Sequence, residues 1–216
     1  MDQAALLQRV MLLIPLVLSL TVHEFFHAWT AWKLGDDTAA RLGRLTLNPL
    51  PHIDPLGTLL LPLMGVPFGW AKPVPVDVRR IRRGISMAKG NILISSAGPL
   101  SNLGLALVAS TVYGLLARFA PDALEPGSGA GELLGILILV NVGLAIFNLL
   151  PIPPLDGSHV AEALLPYRWR PAWETFARFS PFLLLGLIFF GRGFLTGPRE
   201  FVVSLLERFI RTIAGA

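Results

Sequence analysis

Between Arg9 and Lys33 the chain carries one acidic or basic side chain other than histidine, Glu24, and it lies inside the pattern His23-Glu24-Phe25-Phe26-His27. Residues 90–117 and 133–155 hold no charge at all. Each of these runs is long enough to cross a hydrocarbon layer of roughly 30 Å as a helix. A fourth run, 179–191, is shorter; it spans only if it extends to Pro198 or if Arg192 snorkels to the surface. With 53% hydrophobic and 15% charged residues, and a mean hydropathy of +0.63, the chain is too apolar for an ordinary soluble domain. The expected fold is an all-α polytopic membrane protein. It is a helical bundle with a re-entrant or short embedded segment and minor β or loop elements near its site.

Residues 55–71 are also uncharged, but Pro62 and Pro67 interrupt them. A proline deep in a helix strands a carbonyl that lipid cannot satisfy, which favours a segment that enters and returns over a full span. Residues 158–165 read as a short interfacial helix ending at Pro166, and 199–213 as an amphipathic tail. Lys72, Arg79, Arg80, Arg82, Arg83 and Lys89 crowd one connection, and Arg168, Arg170 and Arg178 another. The positive-inside rule puts both in the cytoplasm, together with Lys33, Arg41 and Arg44. The 118–132 loop, with Asp122, Glu125 and Glu132, falls outside; a re-entrant 55–71 makes all these assignments agree. The first run has neither a strong basic start nor a clear cleavage site, so it reads as a membrane helix and not as a signal peptide. One membrane domain is expected over 1–216, with its core at about 10–165. Residues 166–216 form a C-terminal membrane helix and amphipathic tail. The basic residues do not form a stripe with interleaved aromatics, so nucleic acid is not an expected partner.

Histidines at i and i+4 share one helical face and can reach one ion at about 2.0–2.1 Å. Glu24, one residue from the first, is placed to take a proton from water and not to bind metal. The structural alternative is a pair of satisfied core histidines with a buried glutamate. Ionisable groups are costly in lipid and usually face an interior cavity, which favours the site. The chain has no cysteine, so a third ligand must be His, Asp or Glu, and His52, Asp54, Asp156 and His159 lie near predicted helix ends. Asp156 leads, because it closes the uncharged run where NLLPIPPLDG (148–157) breaks the helix; His159 is second.

HEFFH (23–27) together with NLLPIPPLDG (148–157) resembles the site-2 protease family of intramembrane zinc metalloproteases. SAGPLSN (96–102) and GWAKPVPV (69–76) resemble its compact bacterial members. The resemblance covers about residues 10–165. It implies one Zn2+ per chain held by His23, His27 and Asp156, with Glu24 activating a zinc-bound water. It also implies that Asn148 positions or polarises the scissile carbonyl. The implied substrates are transmembrane segments of other membrane proteins, cut within a bacterial cell membrane from the cytoplasmic side. No segment is polar and long enough for a PDZ-like or nucleotide-sensing module.

A substrate helix must unwind before it is cut, so something must hold extended backbone. The 69–76 segment, with Gly69, Pro73 and Pro75, is a rim strand or loop able to pair with it, or a loop that buttresses the first helix. Gly98 reads as a close-packing residue near a helix start, Asn102 as facing the bundle or a polar group, His52 as a turn residue, and the tryptophans as interfacial anchors. A scaffold or chaperone without turnover would be expected to have lost Glu24 or Asp156, and neither is lost. A zinc transporter should show paired broken helices or matching halves, and no such repeat is present.

Overall fold

A computed structural model describes residues 3–66, 69–191 and 193–215; Pro67 and Arg192 lie outside the described residues. Among the described residues all regular structure is helical. Four helices are long and apolar enough to cross a membrane. Helix α1 (Gln3–Leu34) contains the HEFFH pattern and ends at Gly35, whose φ of 112° admits the reversal; the Asp36 amide then donates back to the Ala31 carbonyl at 2.9 Å. Helix α2 (Met87–Phe119) starts at Ser86, which caps the Lys89 amide, and α3 (Ala130–Asn148) precedes the proline-rich break. Helix α4 (Asp156–Leu164) is short, α5 (Arg170–Phe190) spans, and α6 (Thr196–Ala214) closes the chain.

Helix α2 is the centre of the bundle and touches α1, α3, α4 and α6. Ala106, Ala109, Ile138 and Val142 form the buried core between α2 and α3. Small side chains there let backbones approach where lipid supplies no hydrophobic drive for helix pairing. The amphipathic α6 does not lie free: Val202, Val203, Leu206 and Ile210 pack on that same core. Large apolar side chains such as Ile14, Phe119 and Phe190 face outward, while Ser19, Asn102 and Asn141 are fully buried. This inside-out distribution suits a lipid solvent.

The described residues of 55–71 fold back on themselves. Asp54 caps the turn Pro55–Leu60 by accepting from the Leu56 and Gly57 amides, and Leu61–Leu63 adds one more turn. Nine helical residues rise about 13 Å at most, far short of a crossing. After Gly65 the chain comes back so that the Trp70 amide donates to the Gly57 carbonyl and the Lys72 amide to the His52 carbonyl. The two ends of the segment therefore meet. Trp70 is more than an interfacial anchor, since its ring fills the place a side chain at Gly57 would need. His52 is a turn residue, buried, with Nε2 donating to the Thr46 carbonyl at 2.9 Å.

The fourth span differs from the sequence expectation. It gains length at its start, reaching back to Arg170, and stops at Phe190 without Pro198. Pro171 suits a first helical turn, whereas the chain after Phe190 turns at Gly191. Residues 69–76 resolve as loop, not strand, since no ladder partner lies alongside among the described residues. The basic 77–83 stretch is tied to the end of α1, where the Arg82 amide donates to the Leu34 carbonyl at 2.8 Å. Buried Asp36 accepts the Asp77 amide at 2.6 Å, a second tie to the same end.

Candidate metal centre

Helical spacing turns His23 and His27 to one face of α1, and that face packs on α2 at Gly98. A Cβ added at Gly98 would stand 2.3 Å from His27 Nε2 and 2.6 Å from Cε1 and Nε2 of His23. The two imidazoles occupy the room that a side chain would take. Asp156 arrives from the other side, in the first turn of α4, where a carboxylate also suits the helix dipole. Gly157 permits this by its size: a Cβ there would meet the Leu149 carbonyl oxygen at 2.2 Å, so α4 folds directly onto the end of α3. The prolines at 151, 153 and 154 end α3 and let the chain double back.

The Nε2 atoms of His23 and His27 lie 3.0 Å apart, and Asp156 Oδ2 lies 3.1 Å and 3.3 Å from them. His27 Nδ1 faces the Ile94 carbonyl at 2.7 Å, and His23 Nδ1 faces the Asn102 amide oxygen at 2.7 Å. Both partners are acceptors, so each Nδ1 carries a proton, and in the neutral, metal-binding form of the rings both Nε2 atoms present lone pairs. Three acceptors then converge with no hydrogen-bond donor among them, and buried Asp156 Oδ2 has no donor of its own. Such a group is repulsive unless a cation sits among its members. A tetrahedral zinc with bonds of about 2.0–2.1 Å needs ligand atoms about 3.3 Å apart, close to the spacing found. The donor set fits zinc.

Glu24 is buried beside this triangle and outside it. Its Oε2 accepts the Val74 amide at 2.8 Å, which fixes the carboxylate, and Glu24 lines the adjoining cavity. That cavity, of ≈ 810 Å³, is bounded by the metal cluster, the 69–78 loop, the end of α3 and the inner face of α5. Asn148 lines it, with its Nδ2 donating to the Leu144 carbonyl at 3.1 Å, and His159 lines it as an exposed side chain away from the triangle. Asp54 is a turn cap and His52 a buried turn residue, both apart from the triangle. Three contributors were not singled out in sequence for these contacts: Gly98, the Val74 amide and Asn102. The sequence signal for the last was its place in SAGPLSN (96–102), facing the bundle or a polar group, which did not name His23 as its partner.

Residues 125–190 match the sequence profile of Peptidase family M50. The Bacillus subtilis (strain 168) protein YwhC, named as a candidate zinc metalloprotease, is 46% identical over 156 residues, covering 72% of this chain and 69% of that protein. Rip2 of Mycolicibacterium smegmatis, named likewise, is 36% identical over 146 residues, 68% of this chain and 54% of its own length. Rip2 of Mycobacterium tuberculosis (strain Erdman) is 33% identical over 180 residues, 83% of this chain and 64% of its own length. No solved structure matches significantly. The bundle of four membrane-length helices, the convergent His/His/Asp cluster and this similarity agree: the chain belongs to peptidase family M50, the site-2-type intramembrane zinc metalloproteases.

Proposed function

We propose that this protein is an endopeptidase that hydrolyses peptide bonds in or near transmembrane segments of other membrane proteins, with Glu24 as its base. The observation that carries the proposal is a buried carboxylate held beside three convergent acceptors at the wall of a large cavity. His23, His27 and Asp156 would hold one zinc, which when bound supplies Lewis acidity toward a peptide carbonyl and eases deprotonation of water. Glu24 Oε1 takes the proton of the attacking water while Oε2 stays on the Val74 amide, and the protonated carboxyl then delivers it to the departing nitrogen. Asn148 offers an amide N–H beside its bond to Leu144, available to the carbonyl oxygen as charge grows there. The 69–76 loop holds unwound backbone. The amides of Trp70, Lys72 and Val74 are turned to the protein, on Gly57, His52 and Glu24, so the alternate edge, which includes Pro73 and Pro75, is rich in acceptors and poor in donors. A substrate strand would bring the donors. The basic end of the bundle, with Lys33, Arg79, Arg80 and Arg82, faces the cytoplasm, and the site opens toward it.

The test compares wild type with Glu24→Gln (E24Q) on a membrane-spanning substrate with a Gly- or Pro-containing centre. Fragments are followed by mass spectrometry and zinc is measured on the same samples. E24Q keeps its zinc and loses about 10²–10⁴-fold in cleavage rate. Full cleavage by zinc-loaded E24Q would refute the assignment.

A further inference from the structure

Asn102 and Asn141 stand in the charge-free runs that form α2 and α3, and Ser19 stands one turn before His23 on α1. All three are fully buried. They form one connected set of hydrogen bonds. The Ser19 hydroxyl donates to the Pro15 carbonyl at 2.6 Å and accepts from Asn141 Nδ2 at 2.8 Å. The other N–H of Asn141 goes to the Leu137 carbonyl at 2.8 Å, and its Oδ1 accepts from Asn102 Nδ2 at 2.8 Å. Asn102 gives its second N–H to the Ser19 carbonyl at 3.2 Å, which leaves its Oδ1 for His23 Nδ1 at 2.7 Å.

Every amide hydrogen in this set is used, so its polarity is fixed. Turning the Asn102 amide over would set its oxygen against two acceptors, Asn141 Oδ1 and the Ser19 carbonyl. It would also put an N–H against His23 Nδ1. That nitrogen would then need a lone pair, and Nε2 would carry its proton into the acceptor triangle, where a cation belongs. Asn141 holds Asn102 the right way round, and Ser19 holds Asn141. Buried polar groups in a membrane bundle are costly unless fully paired, and this set is.

On the reading that His23, His27 and Asp156 hold zinc, we infer that Asn102 is a positioning residue for the metal and that Asn141 and Ser19 act on His23 through it. Metal affinity is thereby set partly by α3, through a side chain that touches no ligand. A packing role alone would destabilise the bundle without this directed effect.

The experiment uses the purified full-length chain in detergent and measures zinc affinity by chelator competition, with thermal unfolding of the zinc-free protein alongside. His23→Ala serves as the control for the metal reading. Asn102→Leu lowers zinc affinity by about 10–100-fold, the usual cost of losing the partner of a metal-bound imidazole. Asn141→Leu lowers it too, but adds little in the Asn102→Leu background, because its route to His23 is already gone. Additive losses, or a folded Asn102→Leu protein with wild-type affinity, overturn the inference while leaving the zinc reading intact. Zinc binding by neither wild type nor His23→Ala overturns both. If Asn102→Leu does not fold, nitrogen-15 NMR of histidine-labelled, zinc-loaded wild type and Asn141→Leu gives the second readout, the His23 Nδ1–H exchanging faster in the variant and equal exchange overturning the inference. His23 must show a protonated, slowly exchanging Nδ1, and an unprotonated Nδ1 there overturns the proposal.

Discussion

Gly98→Ala is the smallest change that should dismantle the metal cluster. On an unobstructed helix the substitution gains about 0.5–1 kcal/mol, because alanine loses less backbone entropy than glycine. At Gly98 the new methyl would sit 2.3 Å from His27 Nε2 and 2.6 Å from the His23 ring, against an ordinary contact of 3.4 Å or more, so something must yield by about 1 Å. The imidazoles have little freedom to yield, since each Nδ1 is already committed to an acceptor at 2.7 Å. Parting α1 from α2 would break the same bonds. Overpacking of this kind costs about 1–3 kcal/mol, enough to reverse the helix gain. Displacing two of three ligand atoms by about 1 Å should cost on the order of 10²-fold in activity, and zinc affinity should fall with it. Gly104→Ala is the internal control: it lies on the same helix, and a Cβ there meets nothing within 4 Å. Zinc affinity by chelator competition and thermal unfolding of both variants give the answer. Gly98→Ala with wild-type zinc affinity would show that the helices are not in contact through that residue.

Val74→Pro removes the amide that holds Glu24 and suits an extended run already flanked by Pro73 and Pro75. It should slow cleavage by about tenfold or more with zinc content unchanged, Val74→Ala should not, and equal rates would free Glu24 from this restraint. Asp156→Ala should lower zinc occupancy measured by elemental analysis while His159→Ala leaves it unchanged, and the opposite result would exchange their roles. Single cysteines at Ser86 and Ser128 in this cysteine-free chain should label from opposite sides of the membrane, and one at Thr46 from the same side as Ser86. Labelling of Ser86 and Ser128 from one side would overturn the proposed orientation.

Local features were legible in the sequence, and contacts between distant segments mostly were not. The spacing of His23 and His27 fixes their common face whatever packs on it. Pro62 and Pro67 were the reason to expect a returning 55–71, and the two charge-free runs together with the run around Glu24 mark three of the spans. The fourth was misjudged at its ends, because Arg170, Glu174 and Arg178 hid the first turns of a helix that tolerates charge near the interface. Asp156 could be ranked first from the helix break beside it, but its approach to the imidazoles depends on α4 folding onto Leu149. Gly98 gave no sign that two rings would occupy its place, since that depends on which face of α1 meets α2. The polarity of Asn102 depends likewise on Asn141, on another helix.

Helix α5 supplies one wall of the cavity through Pro181, Leu184, Leu185 and Ile188. Only 6% of its most apolar stretch is buried inside the protein, against 44% for α1 and for α2. Phe179, Phe182, Phe189 and Phe190 turn outward. With so little protein packed on it, this helix is expected to be more sensitive to hydrocarbon thickness than the tightly packed spans. The width of the chamber is a joint property of chain and lipid. A change from bilayer to micelle alters the medium around that wall far more than around the α1–α2–α3 core, so the shape of the cavity should depend on the solvent more than the metal cluster does.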